Sequence, residues 1–394
     1  MTKSEYMKML EIQLGKFSES VRQEILEDYE NHFAEAMSQG KTEEEIIEEL
    51  GDIQDMIDEI PEEDIAEENI AEEFEGEKQE FEGSVKKEYS CGYRKIVADC
   101  KAADIILKSS IDNKLYVNYE NPDGTESGQS FYQYENDGVF YVGVNKNNAT
   151  ASNKNVTLNF LGFHLDIPFQ KSYEAGKMTI EIPQGFPEIE LRTTSGDIEL
   201  RNVSGEILRV KTTSGDFQSE LAEYRQMTIS ATSGDIDVES VKSDRLELSA
   251  TSGDITLERV DANELIAVTS SGDIEVNEFK GAEVSVKTGS GDIEFNGETH
   301  TYNGRSGSGD QELEFSGALN MVNIVAGSGS IELNLNNNGG ASITTYTGSG
   351  DVGIHADEFT QKGENHYVVG NGRATVTVRT GSGDVDIINK VCTR

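Results

Sequence analysis

The sequence predicts a small all-α bundle at the N-terminus followed by an all-β parallel β-solenoid, and three observations carry that prediction. Over the first sixty positions apolar residues recur at helical spacing. The dipeptide Ser-Gly followed by aspartate, or once by Ser330, then stands ten times from Gly196 to Gly383, with glycines at intervals of 19, 19, 19, 19, 19, 18, 20, 21 and 33 residues, and a period near twenty marks a stacked array. On both flanks of that dipeptide apolar residues alternate with period two, the pattern of strands. A β-sandwich-like repeat is the alternative, because the spacing loosens after Gly291.

The first element opens on a capping box, Thr2 with Glu5, and carries Tyr6, Leu10 and Leu14 up to Gly15. Ser18 caps a second helix whose stripe is Val21, Ile25, Tyr29, Phe33 and Met37, ending before Gly40. Thr42 and Glu45 open a third with Ile46, Ile47 and Leu50, and a fourth carries Ile53, Met56, Ile57 and Ile60 before Pro61. Four short helices in residues 1–60 bury little surface, so the bundle is expected to take a protein partner. Tyr29, His32 and Phe33 are the candidate partner-binding residues; no second metal-ligand type stands four positions after His32, which reads as a packed or surface imidazole. Residues 61–87 are an acidic linker, too charged to fold alone.

The solenoid is expected over 181–394, with corners at Gly196, Gly215, Gly234, Gly253, Gly272, Gly291, Gly309, Gly329, Gly350 and Gly383. Two and four residues beyond the glycine lie pairs such as Ile198 and Leu200 or Ile293 and Phe295. Five and seven before it lie pairs such as Val210 and Leu208 or Leu248 and Leu246. Each unit therefore reads strand, Ser-Gly-Asp corner, strand, return loop. Glycine supplies the positive φ of a tight corner, and serine and aspartate bond nearby amides. Residues 88–180 carry strand-like stretches without the motif and read as an elaborated cap. "HYVVGNGRATVTV" reads as a terminal hairpin turning at Gly370-Asn371-Gly372.

Stacking aligns Asp197, Asp216, Asp235, Asp254, Asp273, Asp292 and Asp310 in one column about 5 Å apart. These are the candidate cation ligands: calcium takes six to eight oxygens, the nine-residue calcium-repeat signature is missing, and aspartates satisfying their own turns are the competing reading. A second column, Thr194, Thr213, Thr232, Thr251 and Ser270, gives a hydroxyl row for a repetitive ligand such as a glycan, although β-propensity alone accounts for threonine there.

A net charge of -41 repels phosphate backbones and anionic lipid, so direct nucleic-acid binding is excluded and basic partners remain. Before Gly83 there are 28 acidic residues against six basic ones. Cys91, Cys100 and Cys392 form neither a CxxC pair nor a disulfide scaffold and read as free thiols. No apolar signal core and no run of about 18 apolar residues is visible. A cytoplasmic location is thus expected, with surface or envelope exposure by an unseen route as the alternative. Metalloprotease, nucleophile-elbow and Walker signatures are lacking. "GSGDVG" at 348–353 belongs to the repeat, leads into a strand and places Asp351 where a pyrophosphate would sit. No enzyme chemistry and no cofactor are expected.

"DYENHF" (28–33), "GKTEEEI" (40–46) and "LGD" (50–52) together resemble the bacterial HAAS signalling domain over residues 1–60, with Ile53 where that family usually has proline. The resemblance implies a protein-interaction module associated with PadR-type transcriptional regulators. The recurring "SGDI" or "SGDV", starting at Ser195, Ser233, Ser252, Ser271, Ser290, Ser349 and Ser382, resembles the bacterial adhesin-like family with β-strand repeats over about 90–390. It implies a non-catalytic binding scaffold presenting a repetitive surface to a glycan or envelope ligand. The alternative is an intracellular regulator whose N-terminal domain docks a PadR-type protein while the solenoid senses a ligand or envelope stress.

Overall fold

The computed structural model describes residues 3, 7, 79–82, 84–89, 92–121, 129–146, 154–160, 163–169, 176–335, 340–356 and 359–389. The chain divides into two compact units, Met1–Gly76 and Glu77–Arg394, and every described element is a strand of the second. The expected fold class is corrected accordingly. The described chain is all-β and solenoid-like, with no all-α bundle; residues 1–60, including Tyr29, His32 and Phe33, lie outside the described residues except for Lys3 and Met7. The β-sandwich alternative fails as well, because the repeats pair in parallel, each on the next.

Two columns of strands run through the stack. One precedes the Ser-Gly-Asp corner: Phe186–Thr193 pairs with the second part of Ile198–Thr212, which pairs with that of Phe217–Ala231, and so on to Thr301–Ser308 and Met321–Ser328. The other follows it: Ile198 aligns with Phe217, Phe217 with Ile236, Ile236 with Ile255, Ile255 with Ile274 and Ile274 with Ile293. Alternation decides which side chains point inward. Leu208, Val210, Ile198, Leu200, Leu246, Leu248, Ile255 and Leu257 are all at most 3% exposed. A further inward position seven residues after each glycine is held by Val203, Ala222, Val241, Val260 and Phe279, also buried. Each apolar layer is thus enclosed by those above and below, which a single coil cannot achieve alone.

Both ends depart from chain order. Lys95–Cys100 and Ala103–Ser109 form a complete coil without the motif, inserted between later segments: Lys95–Cys100 pairs with Phe186–Thr193 on one side and Val139–Lys146 on the other. Ala103–Ser109 pairs with Ile198–Thr212 and Gly176–Ile182. Antiparallel strands close this end, Gln129–Asn136 and Gln79–Glu82 on one column, Leu115–Glu120 and Val85–Tyr89 on the other. Gln79–Glu82 and the first residues of Val85–Tyr89 fall within 61–87, the stretch expected as linker.

At the far end the strand after Gly329, Ile331–Leu335, pairs not with Val352–Ala356 but with Val385–Asn389. Val352–Ala356 lies outside it. The Gly383 coil is therefore inserted beneath the Gly350 coil. This also corrects the expected hairpin at Gly370-Asn371-Gly372. His366–Gly370 and Ala374–Ser382 do not pair with each other; they flank Gly340–Ser349, antiparallel on one side and parallel on the other. The hairpin present is Phe359–Gly363 with His366–Gly370. Separately, Lys154–Phe160 and Phe163–Phe169 form a two-stranded antiparallel sheet.

Candidate functional site

The corner is the recurrent feature, and its geometry shows why it is spelled so uniformly. A Cβ on Gly215 would lie 1.8 Å from the carbonyl oxygen of Gly196, and one on Gly234, Gly253, Gly272 or Gly291 would lie 2.0 Å from the carbonyl of the preceding corner glycine. Glycine is required by contact between successive backbones. The positive φ expected for these corners is found only at the distal end, for example 147° at Gly350 and 142° at Gly383, while Gly196 to Gly309 take none. Stacking distance, and not turn conformation, imposes the residue.

The aspartates complete the contact across coils. The backbone N–H of Asp216 donates to Oδ1 of Asp197 at 2.9 Å, Asp235 to Asp216 at 3.0 Å, Asp254 to Asp235 at 2.9 Å and Asp273 to Asp254 at 2.8 Å. Asp292 donates likewise to Asp273, Asp310 to Asp292 and Ser330 to Asp310. Each carboxylate thus serves the next coil and not its own turn. Asp104, within "AAD", accepts from the Asp197 amide at 3.1 Å and starts the column; Asp384 accepts from Asp351 at its far end. Neither was a candidate residue, since Asp104 lacks the motif and Asp384 became a neighbour only through coil insertion. Among the described residues no group of three or more His, Cys, Asp or Glu is placed to hold a metal ion.

Hydroxyls three residues before the glycine seal the corner from inside. Thr288 accepts the Gly291 N–H at 3.0 Å and donates to the Gly272 carbonyl at 2.8 Å; Thr269 does the same with Gly272 and Gly253. Thr193 and Thr212 accept from Gly196 and Gly215. The column expected from the sequence, Thr194 to Ser270, is the neighbouring one and lies toward solvent, exposed or half-buried. The useful signal was burial: Thr212, Thr269 and Thr288 are at most 2% exposed, and a buried hydroxyl needs a partner.

The surface beside the corner is acidic and aligned. Glu275, Glu294, Glu312, Glu332 and Asp386 stand opposite one another in consecutive strands. The five residues after each corner glycine from Gly272 onward contain neither lysine nor arginine. Partial burial, reinforced by Glu275 and Glu312, raises the Glu294 carboxyl above its ordinary value. Asp237 is raised in the same way, by burial and then by Asp235 and Asp216. Where the period first drops to 18, a bulge between Val276 and Phe279 opens a cleft of about 420 Å³ lined by Arg259, Asp261, Glu278, Lys280 and Glu298.

Cys100 is a buried free thiol whose pKa is pushed up by burial and by Asp99, a poor nucleophile; Cys91 and Cys392 lie outside the described residues. His355 meets Asp386 at 3.0 Å and His366 meets Thr344 at 3.3 Å. No described helix is long and apolar enough to cross a membrane.

The Toastrack DUF4097 family model matches residues 184–239 and 219–388, more than half the chain. The chain belongs to the Toastrack DUF4097 family. A second model, HAAS, matches residues 5–59. No curated protein matches. Solved structures similar to this Toastrack chain include a candidate adhesin from Bacteroides fragilis NCTC 9343, 15% identical, covering 77% of this chain and 97% of that one, TM-score 0.36. Another is a candidate lipid-binding protein from Parabacteroides distasonis ATCC 8503, 15% identical, covering 78% and 97%, TM-score 0.37. A candidate cell adhesion protein from Clostridium sporogenes ATCC 15579 is 11% identical, covering 78% and 100%, TM-score 0.22. At such scores these likenesses carry no argument about this chain.

Proposed function

We propose that this Toastrack chain is a non-catalytic binding scaffold whose stacked coils present a periodic acidic surface to an extended partner. The supporting observation is the register: Glu275, Glu294, Glu312, Glu332 and Asp386 repeat once per coil with no basic residue between them and the corner. The corner aspartates are occupied by the neighbouring coil's amides, which leaves the adjacent glutamate column as the surface open to a ligand. A ligand repeating with a similar step, a basic peptide or a cationic glycan, gains from several weak contacts at once. The HAAS match supports a second role, a protein-interaction module at residues 5–59. If that module docks a PadR-type regulator, the protein works inside the cell and the acidic column senses rather than adheres.

The full chain on an array of basic peptides and glycans is expected to bind, and the Glu294→Lys, Glu312→Lys double variant to lose binding by about tenfold or more. Binding unchanged by the double variant, or turnover of an array substrate, overturns the reading. Protease treatment of intact cells separates the two settings: release of peptides from 181–394 supports adhesion, and their protection supports regulation.

A further inference from the structure

The two columns end differently. Beyond Lys95–Cys100 and Ala103–Ser109, three further strands extend each column among the described residues, so the proximal end is even there. Beyond Ala374–Ser382 and Val385–Asn389 the count is unequal among the described residues. The pre-corner column gains Gly340–Ser349, His366–Gly370 and Phe359–Gly363, whereas the post-corner column gains only Val352–Ala356. A two-strand overhang therefore stands beside a two-strand gap.

The exposed surfaces of this step carry core chemistry. Phe359 aligns with Val369, and Val369 with Ala341; Val369 and Ala341 are each 1% exposed, yet Phe359, on the same inward face, is 47% exposed. Val352, Ile354 and Ala356 pack against the core and stay only partly buried. Val352–Ala356 contains no Lys, Glu, Asp or Pro, the residues that usually protect an edge strand from pairing.

We propose that this end is a self-complementary interface between two copies of the chain. A twofold axis perpendicular to the stack, passing between the columns, carries the overhang of one copy into the gap of the other. The directions agree. Phe359–Gly363 runs as Gly340–Ser349 does, since two antiparallel steps separate them; inversion by the twofold then sets it antiparallel to Val352–Ala356 of the second copy. Both strands are five residues long. Phe359 and Tyr367 of each copy, with ring centroids 6.4 Å apart, close the exposed end of the other's core. Lys362, the exposed extra residue of the bulge between Gln361 and Gly363, is brought by the same axis toward Asp351 and Asp386. An isologous contact of this kind closes at two copies.

Sedimentation of the full chain tests this. A concentration-dependent dimer is expected. Phe359→Asp should yield monomer at every concentration with an unchanged far-ultraviolet spectrum, while Phe359→Leu stays dimeric. Lys362→Glu, an exposed change that leaves the fold alone, should raise the dimer Kd about tenfold, and it decides the matter should Phe359→Asp not fold. A wild-type chain that is monomeric up to about 100 µM, well above typical specific dissociation constants, or a dimer indifferent to both Phe359→Asp and Lys362→Glu, overturns the proposal.

Discussion

Each nineteen-residue coil from Gly196 to Gly291 turns twice, and the two turns tolerate very different residues. At the first stands Ser-Gly-Asp every time; at the second, six residues after the glycine, stand Asn202, Leu221, Ser240, Arg259 and Glu278. The second turn is the one with unusual dihedrals, φ between 51° and 59° at all five positions, a region that costs an ordinary L-residue roughly 1–2 kcal/mol. The first turn takes no left-handed φ from Gly196 to Gly291 and yet accepts only glycine, because the preceding coil's backbone lies where a side chain would begin. Strain within one residue is soft enough for five different residues to bear. Overlap with a neighbouring coil is not.

Substitutions at the two turns sharpen this contrast. Gly234→Ala places a methyl 2.0 Å from the Gly215 carbonyl, and separating two coils to relieve it is expected to cost about 3 kcal/mol or more, in the range of severe core overpacking; denaturant unfolding of the full chain measures it. Thr288→Val keeps the shape but leaves the Gly291 N–H and the Gly272 carbonyl without their hydroxyl partner, for about 1–3 kcal/mol in the same experiment. Leu221→Gly acts in the opposite direction. Leu221 has φ 59° and is 54% exposed, so releasing its strain against the entropy lost by glycine should stabilise by about 0.5–1 kcal/mol. Were Leu221→Gly destabilising and Gly234→Ala harmless, the account of both turns would be reversed.

The smallest effect is electrostatic. Because the folded-state pKa of Glu294 is raised by burial and by Glu275 and Glu312, its ionised form opposes folding. That opposition is fully present above the raised pKa and disappears as pH falls toward the ordinary glutamate value. Glu294→Gln is therefore expected to raise the melting temperature slightly at pH 7 and to leave it unchanged at pH 4, measured by paired thermal melts in low salt.

Much of the repeat was legible. Ile198, Leu200, Leu208 and Val210 were expected inward from alternation alone and are buried, because side-chain direction in a strand depends only on parity. The corner glycines were visible from recurrence, although the reason for them was not, since a carbonyl from another coil leaves no trace in local sequence. For the same reason Asp104 escaped notice: the column requires a carboxylate at one height, and "AAD" supplies it without the motif. The cleft beside Phe279 showed itself only as one missing residue in the spacing, and its lining is drawn from four successive coils.

Period, parity and the corner tripeptide are properties of single coils, and the sequence alone determined them: which residues form strands, which faces turn inward, and that neighbours must stack. The order of stacking at the two ends belongs to the tertiary structure. Coils with nearly the same edge compete for one place above Met321–Ser328 and Ile331–Leu335; after the corner they offer the same pair, Val385 and Ile387 against Val352 and Ile354, but before it Val376 and Val378, both fully buried, stand where the other coil has Ile343 and the polar Thr345. Burial on both faces rewards the better-packed coil whatever its position in the chain, so a later segment is drawn beneath an earlier one, and the step this leaves follows from packing that no single repeat encodes.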